Sequence, residues 1–133
     1  MKNNLFLVAF FISLVTWSQN VQVDRQTYSP QQLIEDILVD SNCITNINVT
    51  NVIGGDFNGT DLSYGYFDAS GSSFPFQRGV VLTTGRLNNV QGPNTSLSDD
   101  DAPNWVGDND LETVLQESST LNATIIEFDF EAV

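Results

Sequence analysis

Residues 123–133, ATIIEFDFEAV, alternate: Ile126, Phe128, Phe130 and Ala132 fall on one side, and Glu127, Asp129 and Glu131 on the other. A period of two with one apolar and one acidic side is the pattern of a strand packed on one face and wet on the other. Such a strand needs a surface for its apolar face and partners for its backbone N–H and C=O groups. The stretch reaches Val133 with no turn, cap or polar tail. The expectation is a mainly β domain that is truncated here, with further strands beyond the sequence.

Upstream, Ile44 to Ile53 (ITNINVTNVI) is rich in β-branched residues and closes on Gly54-Gly55, which reads as a second strand. Ser63 to Phe67 and Gly79 to Thr83 are two more, separated by a loop at Ala69 to Ser73. Before them, Ser29-Pro30-Gln31-Gln32 has the form of a helix start: Ser29 caps, Pro30 suits the first helical position, and Gln32 stands where a capping-box side chain reaches back. Leu33, Ile34, Ile37 and Leu38 then form an apolar stripe at helical spacing, with Glu35, Asp36 and Asp40 opposite. From Asn88 to Asp110 there is a long polar loop in which Trp105 points to an ordered segment. Asp108 or Asn109 caps a short helix carrying Leu111, Val114 and Leu115, ending by Ser118. The fold class is therefore mainly β and sandwich-like, with one or two short helices.

At the other end, Lys2 precedes an apolar run from Leu5 to Val15 and the small polar exit Thr16-Trp17-Ser18. This is the layout of a secretory signal peptide over 1–18, too short to span a bilayer, with cleavage expected after Ser18. No cysteine stands at the cut, so the residue that is acylated in bacterial lipoproteins is missing. The exported portion, 19–133, keeps 3 basic and 17 acidic residues, a net charge of −14. A protein so poor in Lys and Arg has no stripe to neutralise nucleic-acid phosphates or to hold an anionic membrane, and no membrane insertion is expected after cleavage. Histidine is absent, which excludes a Ser/His/Asp triad, a Cys/His dyad and His-ligated metals. Cys43 is the only cysteine, and in an oxidising compartment three readings are open: a small buried residue, an intermolecular bridge, or half of a disulfide whose partner lies outside this sequence.

The order of these pieces resembles the choice-of-anchor L domain. The match runs through Ser29-Pro30 to Leu38, Cys43, Gly65-Tyr66-Phe67, Ser72-Ser73-Phe74 and Gly79-Val80-Val81-Leu82-Thr83-Thr84-Gly85. It continues through Gly92-Pro93-Asn94, Gly107-Asp108-Asn109-Asp110-Leu111 and the strand Ile126-Glu127-Phe128-Asp129-Phe130. The resemblance covers essentially the whole of 19–133, carried by order and spacing. It implies the N-terminal portion of such a domain, near the start of a long secreted surface protein, many of which come from the Bacteroidota. It also implies a later cysteine as partner for Cys43, and it carries over no catalytic residue.

Three chemistries can be attached to these residues. Asp99, Asp101, Asp108 and Asp110 are the densest hard-oxygen donors and candidate calcium ligands, although the spacing does not fit a twelve-residue EF-hand loop. The same residues also suit a solvated acidic loop capping a helix. Trp105 is the candidate ligand contact, an aromatic platform for a glycan ring. Glu127 and Asp129 share a strand face, about 7 Å apart by the rise of the strand, and could be read as a hydrolase pair; a wet strand face explains them better. Four Asn-x-Ser/Thr sequences, at Asn48, Asn58, Asn94 and Asn122, read as chance matches. The function expected is a non-catalytic module of a secreted or cell-surface bacterial protein concerned with adhesion or surface structure. The alternative is a calcium-dependent glycan-binding module.

Overall fold

The structure, a computed structural model, describes residues 21–92 and 100–133. The expected signal peptide and Asp99 lie outside the described residues, as does the sequence at Asn94. Among the described residues, five strands form two antiparallel sheets. One holds β1 (Gln22–Asp24), β3 (Tyr64–Asp68) and β4 (Arg78–Leu82) in the order β1-β3-β4. The other is a ribbon of β2 (Ile44–Ile53) and β5 (Ile125–Ala132). The architecture is mainly β with two sheets and short helices, as the alternating patterns predict.

The ribbon is built as its sequence demands. Val52 pairs with Ile126 and Val49 with Phe128, so β-branched and aromatic side chains meet across the strands. Register shifts between Thr45 and Asn48 and between Val49 and Asn51 absorb the incomplete alternation of β2. Asn46, with φ 53°, adopts the left-handed backbone within the first of these.

The helix that begins at Ser29 has the expected start and an unexpected body. The Ser29 side chain accepts from Gln32 N–H, and the Gln32 side chain accepts from Ser29 N–H, completing a capping box around α1 (Pro30–Gln32). A π-helix follows over Leu33–Val39, closed by Asp40 N–H donating to the Glu35 carbonyl. Five-residue closure widens the turn. Leu33 and Ile34 stay buried, but Leu38 is carried off the face and is 55% exposed, so the expected four-residue stripe is shortened. The register is held by Gln31, whose side chain donates to the Ile47 carbonyl at 2.8 Å and accepts from Val49 N–H at 2.9 Å.

Trp105 supplies the main correction to the sequence reading. It is 5% exposed, and its ring packs edge-on against Phe57, with centroids 5.9 Å apart. A Cβ on Gly55 would lie 2.7 Å from the indole, so the backbone just past β2 passes directly under the ring. The indole N–H donates to the Ala123 carbonyl at 2.6 Å. The residue expected to offer an aromatic platform is a core residue whose polar handle is satisfied inside the domain. Among the described residues no helix is long and apolar enough to cross a membrane.

Candidate functional site

The two sheets converge where β4 ends and β5 begins. The Thr124 hydroxyl lies 2.7 Å from the Thr83 carbonyl oxygen and 2.8 Å from Ser63 Oγ, and Ser63 Oγ accepts the Gly55 N–H at 2.8 Å. Ser63 is fully buried, so these contacts satisfy its hydroxyl without water. Beside this junction the segments Leu82–Gly85 and 121–125 form the walls of a cleft of about 700 Å³, with Asp108 and Leu111 at its end. Its lining is largely apolar, and Leu82, Leu111 and Leu121 are 49%, 44% and 75% exposed.

The end of the cleft is positioned by α2 (Asn109–Leu115). Of the two capping candidates in the sequence, Asp108 is the cap, accepting Leu111 N–H at 2.7 Å, and Asn109 is the first helical residue. Gln116, in the left-handed conformation, closes it. Glu112 fixes the returning backbone: one carboxylate oxygen accepts from Ser119 N–H, Thr120 N–H and the Thr120 hydroxyl at 2.7–3.0 Å. Thr120 Oγ in turn accepts Asp108 N–H at 2.9 Å. The Gly107 backbone sits so close to Thr120 that an added Cβ would stand 1.9 Å from its carbonyl oxygen. Sequence reasoning singled out neither Glu112 nor Thr120, because their partners depend on a reversal of direction that no local period reveals.

A second, polar hollow of about 500 Å³ adjoins the first and shares Asp108, with Ile53, Val106, Asn109, Asp110 and Glu112 around it. Of the four candidate calcium ligands, Asp108 and Asp110 meet here. Asp101 instead accepts its neighbour's N–H, from Ala102 at 2.8 Å. Among the described residues no three Asp, Glu, Cys or His residues come together as a metal-binding group. Glu127 and Asp129 are exposed on β5, opposite Asn51 and Asn48. Cys43 is exposed with a free thiol, which removes its reading as a small buried residue.

Away from the cleft, Asp61 is 2% exposed and accepts N–H groups from Leu62 and Asn88, with Arg25 Nε at 4.0 Å. The Arg25 guanidinium also donates to the Gly59 carbonyl at 3.0 Å. Arg86 stacks over Phe57 at 4.2 Å from its centroid and pairs with Asp100 at 3.6 Å, tying this part of the long loop to the core.

These elements make a small two-sheet β domain with an open apolar cleft and a strongly acidic composition. The chain belongs to the choice-of-anchor L domain family, whose sequence profile matches residues 22–133. That membership makes it part of a protein of the cell surface or extracellular space. No curated protein and no solved structure matches it.

Proposed function

We propose that the domain is a non-catalytic contact module of a secreted or cell-surface bacterial protein, acting in adhesion or surface structure through the cleft between Leu82–Gly85 and 121–125. The observation that carries this reading is the exposure of Leu82, Leu111 and Leu121 around one cleft on a protein of net charge −13. Clustered apolar side chains on so charged a surface are the usual mark of a binding face. Beads coated with the full-length protein test it, scored for attachment to whole cells and to a glycan array. Attachment that falls in Leu111→Asp and Leu121→Asp, with melting unchanged, supports the cleft. Attachment untouched by both substitutions overturns it.

The second reading, calcium-dependent glycan binding, draws on Asp108 and Asp110, the two candidate ligands that line the shared polar hollow. Calorimetric titration with calcium, repeated with Asp108→Ala plus Asp110→Ala, decides it. Heat lost in the double variant supports this reading, and no heat with the parent protein removes it.

A further inference from the structure

We propose that Asn58-Gly59 is a site of spontaneous backbone modification, independent of the cleft, and that Asp56 governs its rate. Asn58 precedes the only glycine that follows an asparagine in the sequence; every other asparagine is followed by a residue with a Cβ. That matters because the nucleophile is the next residue's backbone nitrogen, which a bulky substituent on Cα shields. The Gly59 nitrogen attacks Asn58 Cγ, a new C–N bond forms, the Asn58 Cγ–Nδ2 bond breaks, and ammonia leaves with the Gly59 amide proton. Water then opens the resulting five-membered imide. Opening at Cγ leaves aspartate at position 58. Opening at the backbone carbonyl leaves isoaspartate, with one extra carbon in the backbone.

The surroundings leave room for this chemistry. Asn58, Gly59 and Thr60 are exposed, and a Cβ built on Gly59 meets nothing within 4 Å. The pair forms the centre of a tight turn, with φ 57° and 71°, closed by Thr60 N–H donating to the Phe57 carbonyl. One contact engages the attacking nitrogen itself. The Gly59 N–H donates to Asp56 Oδ1 at 2.6 Å, which holds the turn shut. Opening an exposed turn costs little free energy, so the Asp56 hydrogen bond is the principal brake.

The product reports directly on the core. Phe57, one residue before the site, is 2% exposed against Trp105, and its N–H donates to the Asp61 carbonyl at 3.0 Å. The Gly59 carbonyl, one residue after, is held by Arg25. An extra backbone carbon between two fixed points must displace one of them.

The test is incubation of the full-length protein at neutral pH and 37 °C, followed by peptide mapping. A gain of about one dalton should appear on the peptide containing Asn58 ahead of every other asparagine, as two separable isomers. One of them should be a substrate for isoaspartate methyltransferase. Asp56→Ala should accelerate the conversion several-fold in the folded protein and leave it unchanged in urea, where the turn is absent. Conversion elsewhere first, or equal folded-state rates for Asp56→Ala and the parent, would overturn the proposal.

Discussion

Ser63 and Thr124, 61 positions apart, bring their hydroxyl oxygens to 2.8 Å at the point where the two sheets meet. The contact ties the start of β3 to the segment leading into β5, while Ser63 also satisfies the Gly55 N–H. Ser63→Ala strands that buried donor, and leaving such a group unsatisfied costs about 1–3 kcal/mol. Urea denaturation should show the lower midpoint with an unchanged slope.

Trp105→Ala removes the largest side chain from the core cluster with Phe57 and Ala102. Truncating a buried aromatic of this size costs about 3–5 kcal/mol, most of the stability of many small domains. The same assay should find this variant largely unfolded, whereas a surface ligand contact would leave the melt unmoved.

Gly107 and Gly71 form an internally controlled pair. Alanine at 107 drives its Cβ into the Thr120 carbonyl, and at 71 it meets nothing within 4 Å. Gly107→Ala should therefore lower Tm sharply and disrupt the Asp108–Thr120 contact that shapes the cleft. Gly71→Ala should change Tm little, which differential scanning fluorimetry can read side by side.

Asp108→Ala removes the cap of a seven-residue helix. Loss of an N-cap costs about 1 kcal/mol, and here it should fall locally on α2. Hydrogen exchange should quicken over Asn109–Leu115 and leave β2 and β5 protected.

Acid should act through Asp24. Its carboxyl is held below the ordinary carboxylate value by the Thr27 hydroxyl, then by the N–H groups of Thr27 and Gln26. A lowered folded-state pKa gives stability that is fully present above the unfolded value, about 3.9, and is lost as pH falls through the folded one. Asp24→Asn should therefore narrow the gap in Tm between neutral and strongly acidic solution. Tyr64 works at the opposite end: burial, and then the Asp56 carboxylate, push its hydroxyl upward. Its contribution is complete below about pH 10 and disappears as pH climbs through the raised value, so Tyr64→Phe should flatten the alkaline limb.

Local signals carried most of the secondary structure. The β-branched run at 44–53 is β2 end to end, and the Ser29 and Gln32 pair forms the capping box its spacing predicts. β1 escaped notice because three residues carry no period. The apolar spacing at Leu38 does not distinguish an α-turn from the wider π-turn that carries this residue off the buried face. Trp105 marks an ordered segment in the sequence, but its loop neighbours Pro103, Asn104 and Gly107 do not reveal what covers it, because Phe57 and Gly55 lie about fifty positions away. The cleft was legible only at Asp108, since its walls come from segments nearly forty residues apart.

The three arginines among the described residues are each committed: Arg25 to Asp61, Arg78 to Asp40 and Arg86 to Asp100. None is left to offset the remaining carboxylates, so the exterior is that of a polyanion wearing a cloud of counterions. Copies tethered side by side on a surface would hold one another apart over roughly a Debye length, about 8 Å in physiological salt. Their spacing would then follow the ionic strength of the medium, closing as salt rises and widening as it is diluted.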